Sequence, residues 1–202
     1  MDVPGSAAPL ASSASPGSPA RSGELDPDTL DRARTGDPLA FRAFVVRYER
    51  PVFALLSRML GRGQQVEDLA QETFLRAFRA LPGFDPKGPA RVSTWLLTIA
   101  TRLALDEKRR WRRPEPVAPE PASDRDSPER VARQHELRAA LARAIEALPD
   151  DQRAAFVLAE FHDFSLQEIG EALGAPVGTI KTRLFRAREK LARALEEFKE
   201  ER

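Results

Sequence analysis

The residues best placed to do chemistry lie between 177 and 189. Projected at about 100° per residue, one side of this stretch carries Gly178, Thr182, Phe185, Arg186 and Glu189, flanked by Thr179, Lys181 and Arg183. A core has no need of hydroxyls, cations and a phenyl ring on one outward face. A DNA groove does: Arg and Lys neutralise phosphates or read guanine edges, Thr bonds to either, and an apolar ring touches a thymine methyl. The plainer alternative is an αα-hairpin whose basic face is merely solvated.

That face must be positioned by a preceding helix and turn, and the sequence supplies both. Ser165 followed by Glu168 predicts a capping box. Leu166, Ile169, Ala172 and Leu173 form an apolar stripe, Gly174 a stop, and Pro176 a barrier to continuation. Ile180, Leu184, Ala187 and Leu191 would pack the second helix on the first. The pattern predicts a helix-turn-helix.

Three other groups merit the same question. Residues 108–113 are a dense basic cluster around Trp111. Cations suit a helix C-terminus, but aromatics interleaved with cations also suit base stacking and phosphate contact. On the predicted helix 66–81, Asp68, Gln71, Glu72, Leu75 and Arg79 share a face away from the apolar stripe. An exposed Leu with a polar rim reads as a protein contact, though single exposed leucines are common. Glu160, His162 and Asp163 invite a metal or acid–base story and read better as surface and capping chemistry. No phosphate loop, nucleophile elbow or ligand set appears, so neither an enzyme nor a cofactor-binding protein is expected.

The 202 residues hold 32 Lys and Arg against 31 Asp and Glu, a formal net charge of +1. The charges are segregated, and local fields matter more than the sum. With no cysteine and two histidines, disulfides and thiolate metal sites are excluded. No apolar run reaches bilayer length and no signal peptide is evident, so a cytoplasmic protein is expected.

Taken in order, residues 1–24 are rich in Pro, Ala, Ser and Gly and read as a disordered tail. Asp26 with Pro27, and Asp37 with Pro38, each predict a helix start. The second of these helices contains Pro51, where a kink or break is expected. After a loop at 82–92, Ser93 is expected to cap a helix with Leu96, Ile99, Ala100 and Leu103 on its buried side, and Trp95, Thr98, Arg102 and Arg109 on a neighbouring face. Residues 114–129 are Pro-rich and acidic, an extended linker. Helices follow from about 130, with Pro149 ending the first and Asp150 or Asp151 capping the next. The expected fold is all-α: two small helical domains, at 25–113 and 130–202, joined by a flexible acidic linker, the second a helix-turn-helix, winged-helix-like four-helix unit.

Four blocks in this order, at 68–81, 93–110, 148–158 and 164–191, make the sequence resemble the extracytoplasmic-function sigma factors of bacterial RNA polymerase. The resemblance covers nearly everything after residue 25. It implies a transcription initiation factor with core RNA polymerase and promoter DNA as partners, no cofactor and no small-molecule substrate. The first domain would bind the clamp helices of the largest subunit through Asp68, Gln71, Glu72, Leu75 and Arg79. Trp95, Thr98, Arg102, Lys108, Arg109, Arg110, Arg112 and Arg113 would capture and hold the −10 element. The second domain would meet the flap of the second-largest subunit and read the −35 element with Thr179, Lys181, Thr182, Phe185 and Arg186, Arg183 and Arg188 lying near phosphates. The linker would thread the polymerase cleft. An anti-sigma factor, commonly membrane-held, is a further expected partner. Many members carry Asn where this chain has Arg102, which bears on −10 base identity. Two readings outside this family remain: a stand-alone helix-turn-helix regulator and a helical protein-contact adaptor.

Overall fold

A computed structural model describes residues 24–61, 63–110 and 128–198. Among them, eight α-helices and no strands are found: α1 (Pro27–Arg34), α2 (Pro38–Leu60), α3 (Gln64–Ala80), α4 (Val92–Arg110), α5 (Pro128–Glu146), α6 (Asp150–Phe161), α7 (Leu166–Leu173) and α8 (Val177–Ala194). The tail through residue 23, the linker up to residue 127, and Trp111, Arg112 and Arg113 lie outside the described residues.

Local chemistry sets most helix starts. Asp26 accepts from the Thr29 amide and Asp37 from the Leu39 and Ala40 amides, each ahead of a proline at the first helical position. Pro51 does not break α2, which runs through it for 23 residues. Proline's fixed φ is compatible with a helix, and the cost is one missing donor and steric crowding. Burial of Tyr48, Val52, Leu55 and Leu56 on both sides of it holds the helix together.

The start of α4 differs from expectation. The helix begins at Val92, so Ser93 lies inside its first turn. The capping group comes from far away in sequence: the Glu24 carboxylate accepts from the Ser93 hydroxyl and amide, and from the Tyr48 hydroxyl at 2.9 Å. A carboxylate there satisfies orphan donors and complements the helix dipole. Position 24, assigned to the tail, is thus anchored. Asp150 and Asp151 likewise do not cap α6. Pro149 holds the cap position and both acids sit in the first turn.

Helices α1–α4 form one unit and α5–α8 another, but the units are not separate bodies. One apolar cluster runs from Phe44, Leu55, Met59 and Leu96 to Leu148, Leu158, Ile169 and Ile180. Helix α2 packs on α5 and α6, and α4 on α6 and α7.

Candidate nucleic-acid and polymerase interface

The helix-turn-helix forms as its residues dictate. The Ser165 hydroxyl accepts from the Glu168 amide at 3.2 Å, and the Glu168 carboxylate accepts from the Ser165 amide at 2.8 Å. Burial alone would raise Glu168; the Ser165 amide and hydroxyl, with the Thr94 hydroxyl, outweigh it and hold the carboxyl below its ordinary range. Gly174 closes α7 in the left-handed conformation, φ 61°. Gly170 has a different job. A Cβ there would stand 2.8 Å from the Ala175 carbonyl oxygen, and its own carbonyl accepts the Ala175 amide. Only glycine lets the turn fold this closely onto α7.

Ile180, Leu184, Ala187 and Leu191 are the buried residues of α8. The opposite face is open: Thr179, Lys181, Thr182, Phe185 and Arg186 are all exposed, Phe185 at 68%. Lys181 and Arg186 have no ion-pair partner among the described residues. The Thr182 hydroxyl donates to the Gly178 carbonyl and keeps its acceptor capacity. Arg183 and Arg188 are held back toward α6, paired with Asp151 at 2.5 Å and Glu160 at 2.6 Å. The five residues without such ties thus form the central strip, with two anchored cations at its margin.

On α4, Trp95 is half-buried and tilted against Phe84 of the preceding loop, ring centroids 5.2 Å apart. The Thr98 hydroxyl donates to the Thr94 carbonyl. Arg102 reaches the second unit, donating to the carbonyls of Ala172 at 3.2 Å and Glu171 at 3.0 Å. Lys108 pairs with Asp150 at 2.6 Å; burial lowers its pKa, against the pull of that carboxylate. Arg109 and Arg110 sit one turn from their partners Asp106 and Glu107.

The α3 face is also present. Asp68, Gln71, Leu75 and Arg79 are exposed, and Glu72 is half-buried and paired with Arg76 at 2.7 Å. Beside Glu72 a groove of about 170 Å³ runs between α3 and α4, lined by Leu69, Arg76 and Leu103. Sequence reasoning passed over Phe78. It is 48% exposed next to Leu75 at 50%, its ring edge-on to Phe41 at 4.8 Å. Its spacing of three from Leu75 was the available signal.

His162 takes the C-cap position of α6, between the exposed Glu160 and Asp163. Its side chain is half-buried there, and burial, with the nearby Arg58 charge, pushes its pKa down to about 4. Its Nε2 has no hydrogen-bond partner among the described residues. No group of three metal-ligating side chains occurs among the described residues, and no helix among them is long and apolar enough to cross a membrane.

Comparison with known proteins covers both units of the chain. The Sigma-70 region 2 family matches residues 44–113 and the Sigma-70, region 4 family matches residues 138–191. The RNA polymerase sigma-H factor of Pseudomonas aeruginosa is 36% identical, over 86% of this chain and 95% of that protein. The ECF RNA polymerase sigma-E factor of Escherichia coli is 37% identical, over 79% and 88%. Among solved structures, CnrH in complex with the cytosolic domain of CnrY aligns with TM-score 0.60 and 28% identity, over 84% of this chain and 96% of that one. The sigma factor RpoE of Bartonella quintana, solved with the anti-sigma factor NepR, shares the fold with TM-score 0.64 at 24% identity, over 77% and 96%. Such coverage leaves little of the described chain unmatched, and the chain belongs to the extracytoplasmic-function group of the sigma-70 family, the non-enzymatic factors that bind core RNA polymerase and promoter DNA to direct transcription initiation.

Proposed function

We propose a division of labour along this chain. Residues 25–113 carry the contact with core polymerase and the −10 strand, 114–129 link, and 130–202 carry the −35 contact. Lys181, Thr182, Phe185 and Arg186 enter the major groove, with Thr179 at its edge and Arg183 and Arg188 turned to phosphates. Trp95 and Thr98 take an unstacked −10 base while Arg102, Lys108, Arg109 and Arg110 hold backbone, and Arg112 and Arg113, outside the described residues, are assigned the same backbone role. Asp68, Gln71, Glu72, Leu75 and Arg79, joined by Phe78, meet the polymerase clamp helices. An anti-sigma factor, held at the inner membrane, restrains the protein until a signal releases it.

The observation that carries the reading is the division of α8 into a buried apolar seam and an exposed strip whose Lys181 and Arg186 have no ion-pair partner among the described residues. A solvated surface does not require bare cations beside an exposed phenyl ring, whereas a groove-reading surface does. A photoreactive phenylalanine analogue at Phe185 or at Trp95 tests it in the complex with core polymerase. Label at position 185 should enter −35 duplex, and label at 95 the −10 non-template strand. The same label on both elements, or on neither, would refute the assignment.

A further inference from the structure

Trp95, read above as the platform for an unstacked −10 base, closes the first turn of α4, and that turn has no local side-chain cap. The Arg91 carbonyl accepts the Trp95 amide at 3.0 Å, so Arg91 occupies the flanking position. Its guanidinium carries only donors and cannot take up the amides that a helix start leaves open. The acceptor comes instead from Glu24, 69 residues away. Glu24 Oε1 accepts from the Ser93 hydroxyl, and Oε2 from the Ser93 amide at 3.4 Å.

Glu24 is itself held. Its Oε2 also accepts from the Tyr48 hydroxyl at 2.9 Å, and the Tyr48 oxygen in turn accepts the Leu25 amide at 3.0 Å. Tyr48 is buried in α2, its ring edge-on to Phe44 at 4.9 Å. Burial pushes its phenol pKa up, so the hydroxyl stays protonated and donating. The carboxylate thus fastens the first turn of α4 to the core of α2. Both anchors belong to the α1–α4 unit and travel with it.

Ser93 and Trp95 lie roughly 200° apart around α4, at about 100° per residue, so the carboxylate and the indole are on different sides of the helix. On the indole side the wall is the buried Phe84, 5.2 Å away between ring centroids. The amide of Phe84 donates to the Leu81 carbonyl at 3.0 Å, which sets that wall in place. The indole is therefore fixed twice, by Phe84 through its ring and by Glu24 through its backbone.

We propose that Glu24 is a positioning residue for −10 base capture, locking the first turn of α4 so that the Trp95 ring stands ready before the base arrives. The inference rests on reading Trp95 as the −10 platform. A base that leaves the duplex gives up stacking and pairing, and a platform that must order itself at that moment recovers less of the loss. Holding the turn beforehand removes that cost. Glu24 acts through the turn and not on the base, so its effect is confined to the step in which the base is seated.

Fork-junction DNA, duplex at −35 and single-stranded along the −10 non-template strand, tests this with the full chain in complex with core polymerase. One fork is intact, and the others each lack a single −10 base. The wild-type complex should bind the intact fork more tightly than the fork lacking the captured base. Glu24→Ala should weaken binding of the intact fork about fivefold, the scale of a lost helix cap, and leave binding of the fork lacking that base unchanged. Glu24→Gln, which keeps one acceptor oxygen, should recover part of the loss. Glu24 is exposed, so helical content by circular dichroism and association with core polymerase should be unaltered in both variants. An equal loss on both forks would make Glu24 a general structural group and overturn the proposal, as would Glu24→Ala binding every fork like wild type. A wild-type complex indifferent to every base removal would reject the Trp95 reading, and the proposal with it.

Discussion

Arg153 of α6 donates through Nη1 to the Met59 carbonyl, 2.8 Å away, at the C-terminal end of α2. Its Nη2 donates to the carbonyls of Glu146 and Leu148. One guanidinium, 5% exposed, thus closes the α5–α6 corner and ties it to the first unit. Burial lowers its pKa, against the pull of Asp150 and Glu146.

Arg153→Ala should therefore be costly. It removes charge-assisted bonds worth about 1.5–3 kcal/mol each and leaves buried acceptors unpaired. We expect a loss of about 2–4 kcal/mol in denaturant unfolding. A loss within 0.5 kcal/mol of zero, the range of an ordinary surface substitution at roughly ±0.5 kcal/mol, would contradict this role.

The half-buried His162 predicts a pH dependence. Its folded pKa, about 4, lies below the ordinary value near 6.5. Between those values the unfolded chain binds a proton that the folded chain refuses. Stability is therefore full above about pH 6.5 and falls as pH drops toward 4. From pH 7 to pH 5, above most carboxylate titration, this group alone should remove about 2 kcal/mol. His162→Gln should flatten that segment of the unfolding free energy against pH. Parallel curves for variant and wild type would show that His162 titrates normally.

Gly170→Ala tests the turn. The added Cβ would sit 2.8 Å from the Ala175 backbone oxygen, which cannot rotate away as a side chain could. We expect about 1–3 kcal/mol of destabilisation and a weakened −35 dependence. Retained thermal stability and promoter preference would mean that the turn relaxes freely.

Much of this arrangement is readable in the residues. Asp26, Asp37 and the Ser165–Glu168 pair are caps because short polar side chains reach nearby amides, a local effect that leaves a local signature. The seam of Ile180, Leu184, Ala187 and Leu191 follows from helical periodicity alone. The contacts between units were not readable, for a physical reason. Arg102 and Arg153 bond to backbone carbonyls, which every residue possesses, so their acceptors leave no mark in the sequence. The Glu24 cap on α4 spans 69 residues. The continuity of α2 through Pro51 and the partial burial of His162 depend on tertiary packing that overrides local preference.

Arg186→Ala tests base reading on α8. If Arg186 makes a bidentate base contact, its loss should cost about 1–3 kcal/mol of discrimination among −35 variants. Transcription from a panel of −35 substitutions measures it. An unchanged ranking and spread would place Arg186 on backbone instead.

On α3, Leu75→Arg or Glu72→Arg should reduce association with core polymerase while leaving helical content intact. The first removes a half-exposed apolar contact and the second inverts a charge in the same patch. Normal co-purification of both variants would move the polymerase contact elsewhere.

The most direct test of the whole account is run-off transcription with purified chain and bacterial core polymerase on promoter fragments, including the region upstream of its own gene. The account predicts defined transcripts that require this chain and are lost when either the −35 or the −10 element is replaced. No chain-dependent transcript from a broad fragment set, together with tight duplex binding by the chain alone, would contradict it.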